Sequence, residues 1–373
     1  MSKSSFKFYD IRHLFKDHPD ALYYVSFGER SNGKTYSALD YGMERFAKNG
    51  EEFAYIRRWG EDIRPKNIGN LFKGHIENGR LQHYFGDTYN ALEYKSNKFV
   101  LLRRKEDGKV DDSVETKILC NVFDLNGMEH YKSISFPRIT TIILDEFISR
   151  DSYLSNEFQL FQNSVSTIVR YRNNVRILML GNTVNKYCPY FNEMGLKHIK
   201  EMKEGTVDVY TYGQTGLKVV VEYCESSAKK GGKPSDAYFA FDNPQLKMIT
   251  EGSWEIAVYP HLPCEYKPKD VSVEFFIEFD RDILHGEVIS TGDQAPFVFL
   301  HRKTTKIKHD DDIVYGTSPS SNPYHIFGLL RQNDPLSKFI RECIATGRIF
   351  YSTNEVGEVL RNYILWNRNQ GLL

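Results

Sequence analysis

The sequence predicts an α/β fold: a doubly wound, mostly parallel sheet carrying a phosphate-binding loop, followed by a smaller α/β domain. Three observations carry this prediction. Gly28-Glu29-Arg30-Ser31-Asn32-Gly33-Lys34-Thr35 reads G-x-x-x-x-G-K-T and sits between an apolar run and a helix-compatible stretch. Ile139 to Glu146 is an apolar, β-branched run that ends in two acids. Strand-like and helix-like segments alternate around both, as in open α/β sheets.

The elements follow in order. Leu22 to Phe27 reads as a buried strand, and Tyr36 to Lys48 as the helix after the loop. Glu52 to Trp59 reads as a second strand that ends in Arg57 and Arg58. Residues 60–92 are polar and Gly-rich and read as an excursion at the domain edge. Lys98 to Arg103 and Thr116 to Phe123 read as strands joined across Asp107-Gly108, a hairpin signal. The acidic strand, a helix over Asn156 to Val169 and a strand over Val175 to Asn182 complete the alternation. Ligands in such sheets lie beyond the carboxyl ends of the strands, where Gly28, Asp145 and Asn182 all fall.

Past residue 197 the character changes to charged, short strand-like runs, and Ser226 to Ser235 is the most loop-like stretch. Pro260, Pro263 and Pro268 mark a linker. Strands are expected within Val271 to Phe279, Glu287 to Ser290 and Phe297 to His301, and helices over Pro335 to Thr346 and Asn354 to Asn367. The expected domains are 1–197, a small linker or lid subdomain over 198–255, and 256–373.

Bulk properties bound the function. The chain has 373 residues, enough for two domains, and 40% hydrophobic content, enough for packed cores. No run of 18 apolar residues predicts a membrane span, and the first residues lack a signal-peptide core. Five scattered cysteines suggest neither a zinc site nor a disulfide framework, so a reducing, cytoplasmic setting is expected. Zero net charge argues against a protein coated by nucleic acid but leaves local basic patches open.

The chemistry follows from the residue types. Backbone N–H groups of Gly28 to Thr35 and the helix N-terminus suit phosphate oxygens, Lys34 the β- and γ-phosphates, and Thr35 a Mg²⁺ ion. Asp145 suits the Mg²⁺ shell and Glu146 a polarised water, which makes ATP with Mg²⁺ the expected cofactor pair. Asn182 is either a γ-phosphate sensor or a turn residue before Thr183. Arg170, beside Arg172 and Arg176, is either an arginine finger or a solvated cation at a helix end. Arg302, Lys303, Lys306 and Lys308 suit nucleic-acid backbone, or pair with Asp310-Asp311-Asp312 on the same tip.

Taken together, the blocks Gly28 to Tyr36, Tyr55 to Trp59, Thr141 to Ile148, Val169 to Arg176, Gly181 to Val184 and Pro189 to Phe191 carry a family likeness. In order and spacing the chain resembles the DNA-packaging ATPases of phi29-like tailed phages, which are terminase-like motors. The resemblance implies an additional-strand (ASCE) P-loop NTPase domain, a linker or lid, and a C-terminal RNase H-like domain without nuclease acids. It further implies a ring, pentameric in the family, that drives double-stranded DNA into a prohead. Such a ring docks transiently on the portal in the host cytoplasm, in some cases with a structural RNA and without a membrane. It assigns Arg170 the trans-acting finger and Lys132 a second contact to a neighbour's nucleotide. Arg57, Arg58 and Arg150 are further candidates for gripping DNA. A departure is the set Glu278, Asp280 and Asp282, which leaves open a complete terminase with a metal-dependent nuclease. A P-loop small-molecule kinase and a non-catalytic nucleotide-binding subunit are the other readings.

Overall fold

The computed structural model describes residues 8–131, 133–150, 152–226, 254, 256–262, 264–292 and 295–369. The chain divides into two compact units, Met1–Glu255 and Ile256–Leu373. Among the described residues no helix is long and apolar enough to cross a membrane.

In the first unit, α1 (Arg12–Asp17) leads into β1 (Tyr23–Gly28), and the glycine loop leads into α2 (Lys34–Asn49) and β2 (Glu52–Arg57). Three short helices occupy the polar excursion: α3 (Pro65–Ile68), α4 (Lys73–Glu77) and α5 (Arg80–Phe85). Next come β3 (Ala91–Lys95), β4 (Lys98–Leu102), β5 (Lys117–Asp124), β6 (Ile139–Asp145), α6 (Glu157–Val169), β7 (Arg176–Asn182), α7 (Pro189–Glu193), β8 (Thr206–Tyr212) and β9 (Leu217–Tyr223). The nine strands form one sheet in the order β3-β4-β5-β2-β6-β7-β1-β9-β8. The six strands from β5 to β9 in that order run parallel, and antiparallel strands close both edges.

Both faces of this sheet are covered. Along β1, Tyr23, Val25 and Phe27 enter one core and Tyr24 enters the other. Phe161, Val165 and Ile168 of α6 join the first core, and Ala38, Leu39 and Met43 of α2 join the second. Continuous apolar strands are therefore required, because alternate side chains meet helices on opposite faces. Strand β7 lies between β1 and the acidic strand β6, so the two site-bearing strands are not neighbours. The Asp-Gly hairpin forms, with Gly108 at φ 82° and β4 antiparallel to β5.

One expected boundary is corrected. A lid beginning at 198 would lie outside the sheet, yet β9 pairs in parallel with β1, from Tyr23↔Val219 to Phe27↔Tyr223. Residues 206–223 complete the first unit's sheet because β1 needs a partner on its second edge. The loop-like stretch from residue 227 and the linker Pro263 lie outside the described residues.

The second unit holds β10 (Val271–Phe279), β11 (Asp282–Ile289), β12 (Phe297–Lys303), β13 (Val314–Gly316), β14 (His325–Phe327), α8 (Pro335–Thr346), β15 (Ile349–Tyr351) and α9 (Asn354–Asn369). Its sheet order is β14-β13-β10-β11-β12-β15. Phe275, Ile277, Leu284 and Leu300 are fully buried on one face, where Phe279 meets Tyr363 of α9. Strand β11 begins earlier than expected, because Asp280 and Arg281 form a two-residue turn at φ 49° and 69°. Asp280 therefore lies in a turn and does not share a strand face with Glu278.

Candidate nucleotide-binding site

The site is built at the carboxyl ends of β1, β6 and β7. Gly28 ends β1 beside Asn182, which ends β7, and Asp145 ends β6. Between Gly28 and α2 the loop needs left-handed backbone at Ser31 (φ 62°) and Gly33 (φ 99°). A side chain at Gly33 would be strained at that φ, which fixes glycine there. The turn delivers Lys34 and Thr35 to the first turn of α2, whose N-terminal amides face the same space. A cleft of about 630 Å³ opens there.

Lys34 is buried, and its Nζ donates to the Glu29 carbonyl at 2.6 Å and to Asn32 Oδ1 at 3.2 Å. Burial pulls its ammonium below the ordinary lysine range, opposed by nearby acidic groups including Asp145 and Glu29. The head is held in the loop by exchangeable acceptors. Thr35 Oγ1 donates to both carboxylate oxygens of Asp145, each at 3.1 Å. Tyr55, at the centre of β2, donates to Asp145 Oδ2 at 2.7 Å, and the Glu146 N–H donates to Oδ1 at 3.0 Å. Burial and Asp145 push the Tyr55 hydroxyl well above its usual range, so it stays a neutral donor. A hydroxyl and a carboxylate, both hard oxygen donors, face each other as a Mg²⁺ ion requires.

Glu146 follows at φ 55°, a left-handed conformation uncommon for a residue with a side chain. The turn redirects its carboxylate toward β2, where Arg57 donates to Oε2 at 2.6 Å. Arg57 also reaches Asp62 at 3.4 Å. The expected DNA contact Arg57 is thus engaged with the acid beside Asp145. Neighbouring Arg58 is buried, donates to Glu157 at 2.7 Å and to the carbonyls of Glu146 and Phe147. That environment removes Arg58 from the DNA-gripping candidates and makes it the brace of the turn that carries Glu146. Arg150 donates to the Val184 carbonyl at 3.2 Å.

The remaining expected site residues are distributed as follows. Arg30, Ser31, Asn32, Glu146 and Asn182 line the cleft, and Glu29 is buried behind it. Arg170 follows α6 at φ 52°, is exposed, and donates to the Ile134 carbonyl at 3.0 Å. It precedes β7, so it lies near the amino end of that strand, whereas Asn182 at the carboxyl end meets the cleft. Seven residues of strand separate the two ends by roughly 20 Å. Arg170 is therefore remote from its own chain's phosphate loop. Arg172, by contrast, donates to the carbonyls of Phe136, Pro137 and Ile139 and ties that loop to α6. Lys132 lies outside the described residues. In the second unit, Arg302 pairs with Asp282 rather than with the acidic triplet, while Lys306 and Lys308 are exposed. Lys303 donates to Thr305 at 3.0 Å.

Phe8, Tyr36 and Asn78 also line the cleft. Tyr36 stacks on His75 with ring centroids 3.9 Å apart, and Asn78 donates to its hydroxyl at 3.3 Å. Phe8 is 65% exposed at the mouth. Only Tyr36 carried a sequence signal, as the residue after the loop motif. Phe8 and Asn78 arrive through tertiary packing.

The parallel sheet with a strand inserted between the loop-bearing and acidic strands, and the Thr35–Asp145 pair at its edge, define a P-loop nucleoside-triphosphatase fold of the additional-strand type. The chain belongs to the podovirus DNA encapsidation protein (Gp16) family, whose profile matches residues 1–202. It is 32% identical to the DNA packaging protein of Bacillus phage B103 over 180 residues, 48% of this chain and 49% of that one. It is 28% identical to the DNA packaging protein of Bacillus phage phi29 over 175 residues, 46% of each. These alignments span about half the length of the curated relatives. Over 97% of this chain and 99% of the other, the fold is similar to that in the bacteriophage Phi-29 viral genome packaging motor assembly, with a TM-score of 0.55 at 19% identity. The Phi-28 DNA packaging motor gives 0.52 at 17% identity, covering 99% of both chains. At such identities the likeness is one of fold.

Proposed function

We propose that this protein is an ATP-driven motor subunit that moves double-stranded DNA into a phage prohead, hydrolysing ATP at the interfaces of a ring. The observation that carries the ATPase reading is Thr35 Oγ1 at 3.1 Å from both oxygens of Asp145, beside Glu146. Bound Mg²⁺ would neutralise phosphate charge and orient the γ-phosphoryl group. Thr35 and Asp145 would hold that ion in place of their mutual hydrogen bond. Lys34 would leave the Glu29 carbonyl for phosphate oxygens, and the amides of Gly33 to Thr35 would donate to them. Glu146 would orient and deprotonate the attacking water once Arg57 releases it. Asn182 lies where it would sense the γ-phosphate, and Tyr36 and Phe8 offer apolar faces for the base.

The position of Arg170, roughly 20 Å along β7 from its own cleft, supports a trans role as a finger in the adjacent subunit's site. Lys132 is its proposed companion. A pentamer docked on the portal in the host cytoplasm, with or without a structural RNA, is the assembly that family membership favours. Lys306 and Lys308 are the proposed DNA-facing cations of the second unit. That unit is read as RNase H-like and nuclease-vestigial, since Asp280 lies in a turn and Asp282 is held by Arg302.

ATP turnover measured with and without double-stranded DNA on prohead-bound protein tests this. Stimulation by DNA, lost in Lys34→Ala and Glu146→Gln, supports the motor. Transfer of phosphate to a small metabolite instead of water would replace it with the kinase reading.

A further inference from the structure

The second unit carries a side-chain cluster that nucleotide hydrolysis does not use. His285 and Glu287 on β11 and His301 on β12 each offer a ligand atom, and these atoms lie within 4.8 Å of one another. Register explains the convergence. His285 stands opposite His301, while Glu287 is two residues along β11, and side chains two apart share a face. That face is opposite the one packed with Phe275, Leu284 and Leu300. The imidazole rings meet edge to face with centroids 4.6 Å apart, and His301 Nε2 is 3.6 Å from Glu287 Oε2.

We infer that His285, Glu287 and His301 form a binding site for a divalent transition-metal ion, with zinc as the ion the donor set fits best. Two imidazoles and one carboxylate are a recurrent three-ligand zinc set that leaves a fourth position open. Metal–ligand bonds of about 2.0–2.2 Å place tetrahedral donors ~3.4 Å apart, so small side-chain rotations close the present spacing. The supporting hydrogen bonds are also in place. Tyr266 donates to Glu287 Oε2 at 2.5 Å and fixes that carboxylate. Glu274 on β10 lies 3.0 Å from His285 Nε2, where it orients the ring through the nitrogen that does not meet the ion. The ion would tie β11 to β12 at the middle of the sheet, and the fourth position would face outward for water or a partner's side chain. Sequence spacing did not reveal the site because its ligands come from two strands whose pairing sets the distance.

The test is Zn²⁺ titration of the full chain by calorimetry, with excess Mg²⁺ present to occupy the oxygens of Thr35 and Asp145. Co²⁺ substitution reports the ligand types. The expected result is one equivalent of Zn²⁺ bound, a raised thermal midpoint, and a tetrahedral Co²⁺ visible spectrum without thiolate charge-transfer absorption. His285→Gln/His301→Gln should lose that equivalent while keeping its far-ultraviolet dichroism. Tyr266→Phe, which retains all three ligands, should weaken binding about tenfold or more. Absence of Zn²⁺ binding below millimolar concentration, or unchanged stoichiometry and affinity in the folded double variant, would overturn the assignment.

Discussion

At the residue scale, Glu146 is held by two devices that act on different atoms. Its backbone is forced to φ 55°, and its carboxylate is neutralised by Arg57 at 2.6 Å. Glu146→Gln should lower ATP turnover about 10²–10⁴-fold, the range for removing a general base, with nucleotide binding retained in a filter or fluorescence assay. Arg58 supports the turn from below, and its partner Glu157 is buried and also accepts from Tyr190 at 2.9 Å. Arg58→Ala would strand that carboxylate in the core, so chemical denaturation should show a loss of about 3–5 kcal/mol. His13 adds a pH dependence. Its Nε2 meets Glu222 at 3.1 Å, and that contact raises the imidazole above its ordinary value. A raised folded-state value stabilises the protonated form. The increment is therefore full below the ordinary imidazole value of about 6.5 and fades as pH rises through the raised one. Thermal melts between mildly acidic and alkaline pH should show this fall, and His13→Gln should flatten it.

At the element scale, α2 rests unusually close to β2. A Cβ at Gly42 would come within 2.6 Å of the Phe53 ring, which is fully buried. Alanine favours a helix by about 0.8–1.0 kcal/mol over glycine, but overpacking a core costs about 1–3 kcal/mol. Because Phe53 has no room to yield, the clash outweighs propensity. Gly42→Ala should lower the unfolding free energy in urea, with an unchanged m-value. Legibility of the elements followed the range of the forces involved. Helix α8 was readable because its signals are local: Asp334 caps Ser337 at 2.9 Å, Pro335 opens the helix and Gly347 ends it at φ 70°. Helices α3 to α5 were not, since they are only 4 to 6 residues long and their polar runs show no apolar period. Strand β9 had a strand's composition, but its place beside β1 is a pairing between residues some 196 positions apart, as in Tyr23↔Val219. No window of sequence contains that information.

At the scale of the whole molecule, the phosphate loop, Thr35, Asp145 and Glu146 were legible because strand ends in a parallel sheet converge on one edge. The burial of Arg58 and the capture of Arg57 by Glu146 were not, because a cation's partner depends on which strands meet. The same sheet geometry places Arg170 at the far end from its own cleft, and this carries the proposal that each site is completed by a neighbour. Turnover should therefore depend on assembly and drop about 10³–10⁵-fold in Arg170→Ala without loss of ATP binding. The most direct measurement is basal ATP turnover of a ring assembled from Lys34→Ala and Arg170→Ala subunits mixed in equal amounts. Each variant alone should be inactive, and the mixture should recover hydrolysis, because an intact phosphate loop then meets an intact finger from its neighbour. Hydrolysis by Arg170→Ala alone at the unsubstituted rate would contradict the shared site.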